Sequence, residues 1–469
     1  MKDTMKLTTI LIVVIIITLG FSPLFPVPEG MGEKGLTTVF IIFLGIVLWS
    51  TNILPSAITG MVLIVLFSGF RIIPFSEATA NLGKEIIWLL VSMLIMSKAV
   101  EKTALPKRMA YNMFLMAGGN IRLILLFLIV FLFLITFFIP NIIGRIMLII
   151  PICIGLINSM EKQNINDLGK IIIPTITFVP VISAFSIITG SGGTLYAVDL
   201  FESLLGYNWG YLEWLIAMMP IGLITVIIYW LIVVFLIFPS LMKTKANMDY
   251  IYEEKSKLGK VTSQEIIIII IYIILLALWI TKEIHGFSLA MSAVLMVSTL
   301  FFPRINILTW KEAINSVEWG IPFVFAAGFS IAQALNYSEV TNWLSVLASK
   351  YLSDLPTFTT VVILILALVL LRLGFVNNTM MIAAIMPIII SFASGTTINP
   401  LWLGMMSLIG SCVCFMLPMQ TISNMATFSL GYHNFKEHLL LGIVITIILI
   451  TVTLISAFYY WPLIGLGVY

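Results

Sequence analysis

Apolar runs long enough, or nearly so, to cross a bilayer recur along the whole chain, at residues 7–20, 37–50, 57–70, 221–238, 266–280 and 439–458. A helix needs about 20 residues to traverse roughly 30 Å of hydrocarbon. Lipid offers the backbone no hydrogen-bond partner, so a spanning segment must satisfy its own N–H and C=O groups, and continuous apolar runs of this kind do so as helices. Only 10% of the 469 residues are charged and 61% are hydrophobic, against about 25% charged residues in a soluble domain. The chain therefore reads as an all-α polytopic membrane protein whose spans use its length and leave no room for a separate soluble domain.

Lys2 and Lys6 resemble the start of a signal peptide, but residues 7–25 run into Pro-Val-Pro-Glu rather than a small-residue cleavage site, so this segment is expected to stay as a first helix. Spans are predicted at roughly 7–26, 36–51, 56–73, 86–101, 171–205, 211–240, 265–282, 287–302, 317–335, 401–432 and 438–462. Two further apolar segments, 121–159 and 358–395, are interrupted near their middles and read as re-entrant helical hairpins. With about eleven transmembrane helices, two hairpins and the N-terminus inside, sixteen of the 24 basic residues fall on the cytoplasmic side and five outside. The positive-inside rule thus predicts a multi-pass protein of the cell inner (plasma) membrane with a cytoplasmic N-terminus and an external C-terminus. Hairpins that crossed fully would preserve most of this balance.

The chain divides into an N-terminal helix and loop (1–35), a first repeat (36–240, hairpin 121–159), a cytoplasmic linker (241–264) and a second repeat (265–469, hairpin 358–395). Glu85-Ile-Ile-Trp88 before one apolar helix is echoed by Glu318-Trp319-Gly320 before another, and each helix leads through a polar stretch to an interrupted segment. A repeat with an odd number of crossings forces its copy to be inverted.

Four polar breaks interrupt these segments. Phe138-Ile-Pro-Asn141-Ile-Ile-Gly-Arg145 leads to Pro151, and Phe375-Val-Asn377-Asn378-Thr379 leads to Pro387. The long span after each hairpin has its own break, Gly190-Ser191-Gly192-Gly193-Thr194 in the first half and Pro418-Met-Gln420-Thr421-Ile-Ser423-Asn424 in the second. Any one of them reads equally as a kink. At corresponding positions in two halves they predict one midplane site, where half-helix N-termini offer N–H donors to an anion and half-helix C-termini offer carbonyls to a cation.

In these residues the chain resembles the divalent anion:sodium symporter family, within the wider ion transporter superfamily. Asn377-Asn378-Thr379 resembles that family's Ser-Asn-Thr hairpin tip, Phe415 to Asn424 its second broken-helix motif, and Trp319-Gly-Ile-Pro-Phe-Val-Phe-Ala-Ala-Gly328 its Trp-Gly helix. The likeness covers nearly the whole chain. It implies sodium-coupled carriage of di- or tricarboxylates by an elevator-type homodimer, with substrate near Asn141, Thr194, Asn377, Asn378, Thr379, Thr421 and Asn424, and sodium near Asn141, Gly190, Asn378 and Gln420. Thr194 replaces the family's asparagine, and the spacing from Pro151 puts Ile142 at the first tip's asparagine position unless one inserted residue lets Asn141 fill it.

Arg145 and Arg372 are the charges that most need explaining, since a helix-centre arginine costs at least about 2.5–3.5 kcal/mol on insertion scales. They are expected to contact substrate or stand in for a coupling cation; snorkelling or pairing with a carbonyl is the alternative. No Asp or Glu lies in either hairpin core or in the second break, and Asp199 reads as a span-end residue, which favours an anion over the cation or proton of an antiporter. A cation/proton or inorganic oxyanion exchanger of the same superfamily remains the alternative. A membrane-embedded enzyme on a lipid-linked substrate would need an acid/base or metal cluster that this sequence lacks. Cys153, Cys412 and Cys414 have no ligand spacing and read as packing residues, and His285, His433 and His438 fall near span ends. No catalytic residues, cofactor or nucleic-acid partner are expected.

Overall fold

The computed structural model describes residues 26–28, 30–159, 165–239, 245–352 and 355–469, so the first predicted span lies outside the described residues. Apart from one isolated bridge between Asn120 and Lys245, all regular structure among the described residues is helical. Among the described residues five helices are long and apolar enough to cross a bilayer: 75–102, 166–186, 211–237, 263–280 and 435–463. A sixth span is the pair Trp310–Ser316 and Gly320–Tyr337, bent by 49° at the intervening residues. Ser263–Ile280 leaves Ile266, Ile270, Ile273 and Ile274 exposed on one face, an apolar stripe suited to lipid rather than water.

The order of elements recurs. Two apolar helices (Gly35–Thr51 and Ser56–Gly69), a short helix leading into a long one (Phe75–Ala80 and Glu85–Lys102), and an amphipathic helix (Leu105–Met116) precede the first hairpin. Ser263–Ile280 and Leu289–Thr299, then Trp310–Ser316 and Gly320–Tyr337, then Val340–Leu352 precede the second. The halves interlock by exchange: Ser56–Gly69 packs along Gly320–Tyr337, and Leu289–Thr299 packs along Glu85–Lys102. At the first of these crossings a Cβ on Gly60 would lie 2.7 Å from the backbone oxygen of Phe323, so only glycine lets the helices approach this closely. The last helices of the halves are tied together by the Trp461 indole, which donates to the carbonyl of Ala217 at 2.9 Å, and by the Tyr460 hydroxyl to Ile216 at 2.7 Å.

The hairpins have arms of nearly equal length, Ile121–Thr136 and Ile142–Asn158 in the first, Thr357–Arg372 and Asn378–Ala393 in the second. An arm of 16 residues is about 24 Å long at 1.5 Å per residue, shorter than the hydrocarbon layer is thick. After each hairpin the chain makes a helix, leaves it, turns once and starts again: Ile165–Ser186, a 3-10 turn at Ile188–Gly190, then Gly192–Leu205; and Pro400–Ser411, a turn at Pro418–Gln420, then Ile422–Phe428. The spans predicted at 171–205 and 401–432 are thus each two helices joined by extended backbone.

Between the halves the charged segment is more than a tether. Asp249–Lys257 forms a helix whose Ile251 is buried, and the next span is locked to Leu105–Met116 through Arg108 and Glu265, 2.7 Å apart. Glu265 also closes a capping box with Thr262, so the same carboxylate ends the linker and starts the helix.

Candidate functional site

The two hairpin tips and the two breaks meet around one cavity of about 120 Å³, and each contributes its helix-capping residue to the lining: Asn141, Ser191, Asn377 and Thr421. The first turn of a helix has N–H groups with no intrahelical partner, and a capping oxygen satisfies one or two of them. Asn141 Oδ1 accepts from the backbone N–H of Ile143 at 2.9 Å and Gly144 at 3.2 Å. Asn377 Oδ1 accepts from Thr379 N–H at 2.8 Å, Ser191 Oγ from Thr194 N–H at 3.2 Å, and Thr421 Oγ1 from Asn424 N–H at 2.9 Å. Because the amide oxygens of Asn141 and Asn377 are committed to their own helices, the NH₂ group of each is what remains to donate to a ligand. Positive helix ends and neutral N–H donors suit a small anion.

Caps also settle the register between the tips. Asn141 and Asn377 each cap the second arm, five residues after Thr136 and Arg372 end the first. Ile142 therefore stands where the second tip has Asn378, and no inserted residue separates the copies. The two breaks match as closely. The Thr194 hydroxyl donates to the carbonyl of Ala184 at 2.9 Å, and the Asn424 amide donates to that of Cys414 at 2.7 Å.

Asn377, Asn378 and Thr379 of the second tip line the cavity, as do Asn141 and Thr421. Thr194 and Asn424 are fully buried and spend their polar atoms inside their own breaks. Arg145 and Arg372 are also fully buried and are not among the lining residues. One Arg145 nitrogen donates to Thr136 Oγ1 and to Ser183 Oγ at 3.2 Å, the other to the carbonyl of Gly190 at 3.0 Å. Arg372 donates to the carbonyl of Phe375 and to Asn378 Oδ1.

Ser191 and Ser423, which lie inside the two break motifs, line the cavity beside Thr421, while Glu318, outside every polar break, enters from the 49° bend between Trp310–Ser316 and Gly320–Tyr337. The bend itself was signalled by Pro322 shortly after Gly320.

The family described as "Sodium:sulfate symporter transmembrane region" matches residues 2–466. The chain belongs to this family. Among curated relatives of the sodium:sulfate symporter family, "Sodium-dependent dicarboxylate transporter SdcS" of Staphylococcus saprophyticus is 23% identical over 466 residues, covering 94% of this chain and 89% of its own. A protein of Cupriavidus necator described only as "Membrane protein" is 25% identical over 462 residues, covering 94% and 90%. The fold is shared with Neisseria gonorrhoeae MtrF, described among antimetabolite efflux pumps (TM-score 0.58, 14% identity, covering 96% of this chain and 94% of that one). It is also shared with the Alcanivorax borkumensis YdaH transporter (TM-score 0.55, 13% identity, 99% of both chains).

As a member of the sodium:sulfate symporter family the chain is a multi-pass membrane transporter and not an enzyme. Among the described residues no group of three or more His, Cys, Asp or Glu side chains is placed to hold a metal ion. All three cysteines are buried and free.

Proposed function

We propose that this transporter carries a small anion, a di- or tricarboxylate of the succinate or citrate type, bound between Asn141 at the first tip, Asn377, Asn378 and Thr379 at the second, and Ser191, Thr421 and Ser423 at the breaks. The observation that carries this reading is the convergence of helix-capping residues from both tips and both breaks on one cavity. Their spare donors are amide and hydroxyl groups, which recognise carboxylate oxygens by direction as well as by charge. The relative from Staphylococcus saprophyticus is named for dicarboxylate, and the family for sulfate; both are small dianions.

Alternating access in this reading comes from an elevator-like movement of the hairpins and broken helices against the remaining helices of a homodimer. The repeats are inverted across the bilayer, with the N-terminus cytoplasmic and the C-terminus outside. The absence of acidic groups from both hairpins and from the second break supports an anion carrier over a cation/proton exchanger.

Counterflow of labelled succinate into proteoliposomes loaded with succinate, citrate, sulfate or phosphate tests the assignment. Accumulation driven by an internal carboxylate is expected. Accumulation as strong with internal sulfate or phosphate as with an internal carboxylate would widen the substrate class to inorganic oxyanions, and none with any of the four would sink the proposal.

A further inference from the structure

We infer that Arg145 and Arg372 are built-in cations that take the places of sodium at both tips, so that anion binding by this chain needs no sodium. The inference rests on the anion-carrier reading above. Sodium is a hard cation and takes oxygen ligands, as calcium and magnesium do. The four residues expected to supply them are Asn141 and Gly190 at the first tip, and Asn378 and Gln420 at the second. Each has its oxygen already engaged. Gly190 O accepts from Arg145, Asn141 Oδ1 from the N–H groups of Ile143 and Gly144, Asn378 Oδ1 from Arg372, and Gln420 Oε1 from Leu417 N–H at 2.8 Å. The carbonyl of Phe375 also accepts from Arg372. These residues do not fit a sodium ion at either tip.

Among the described residues no carboxylate pairs with either arginine, although both are fully buried. Arg145 is held by hydroxyl and carbonyl oxygens, and Arg372 by carbonyl and amide oxygens beside the Cys414 thiol, so each places a cation among neutral groups, as a dehydrated sodium ion in the same cage would. A dianion in the adjoining cavity supplies the missing counter-charge.

The two charges are reached by different routes. Arg372 ends the first arm of its hairpin, whereas Arg145 lies in the first turn of the second arm and donates to Thr136, the residue at Arg372's position. Each tip therefore holds one guanidinium although the sequence positions do not correspond. Packing alone gives no reason for the repeat to regain a charge at each tip from opposite arms.

A sodium-coupled carrier sheds its cations when it releases substrate, but this one cannot shed its arginines. Its empty form would carry two uncompensated buried charges through the membrane, which is costly. The loaded form moves with those charges offset, so the transport mode is exchange of one anion for another.

Thermal unfolding of the purified full-length chain in detergent, in sodium chloride against choline chloride, tests the first point without any substrate. No sodium-specific shift is expected, and stabilisation by sodium alone would overturn the inference. Succinate affinity is expected to agree within about twofold between the two salts; a tightening of about tenfold or more in sodium would also overturn it. The substitution Arg372→Gln is expected to weaken succinate binding by at least about tenfold in choline, with sodium restoring part of the loss. Unchanged affinity in that variant counts against the role of the charge. The wild-type arms decide the matter if the variant does not fold. Failure of succinate, citrate, sulfate and phosphate all to bind would remove the proposed function, while the sodium arm would still report on the cation sites.

Discussion

The hydroxyl of Thr194 donates to the backbone carbonyl of Ala184, ten residues earlier and 2.9 Å away. Asn424 makes the same staple to Cys414 at 2.7 Å, also ten residues back. Each closes a loop of chain that has left one helix and not yet begun the next, satisfying a carbonyl near the end of the first helix. Thr194→Val keeps the shape and removes the donor, which leaves a buried carbonyl unpaired and is expected to cost about 1–3 kcal/mol. Asn424→Ala also strips the partner of Thr421 and is expected to cost more. Thermal unfolding in detergent measures both, and amide hydrogen exchange should localise the loosening to the affected break.

Asn141 and Asn377 combine two duties that substitution can separate. Aspartate caps helices as well as asparagine does, so Asn141→Asp and Asn377→Asp are expected to leave thermal stability within about 1 kcal/mol of wild type. Each replaces an NH₂ donor at the cavity with a negative charge, and succinate affinity is expected to fall by more than about tenfold. Retained affinity in either variant would show that its amide does not face the anion.

Glycines in the first break differ in what surrounds them. A Cβ at Gly190 would sit 2.4 Å from the backbone oxygen of Ala184, whereas one at Gly193 would meet the terminal methyl of Ile382 at 2.6 Å. Backbone cannot yield as a side-chain tip can. Gly190→Ala is expected to destabilise by about 1–3 kcal/mol and to disturb the Arg145 contact, with Gly193→Ala the milder change. Equal losses in melting temperature would contradict the geometry.

Glu318 is an acid at the rim of a site argued to hold an anion. Its charge opposes the ligand at any separation shorter than the screening length. Glu318→Gln is expected to tighten succinate binding several-fold at low ionic strength, with the gain shrinking as salt rises. Titration calorimetry at two salt concentrations distinguishes this from a contact effect, which salt would not change.

Much of the architecture was written locally. Asn, Thr and Gly inside runs of Ile, Leu and Val stand out because lipid cannot satisfy them, and that made both tips and both breaks readable. Charge distribution gave an orientation by the same logic. Assignments that failed to follow locally all concerned direction. Thr194 and Asn424 stand out in the sequence as polar groups within the breaks, yet nothing along the chain says that they turn into their own breaks while Ser191 and Ser423 face the cavity. Glu318 was visible only as part of a repeat echo.

The amino-acid sequence by itself determined a helical membrane protein with a duplicated set of polar interruptions, since the cost of burying backbone and charge in hydrocarbon leaves few other solutions. Only the tertiary structure decided which oxygens are still free. Arg145 meets Gly190 across 45 residues of chain, and Asn141 is matched to Asn377 by its role as a cap. A hydrogen bond between distant segments depends on how the helices pack, and whether an oxygen can hold an ion depends on what has already donated to it.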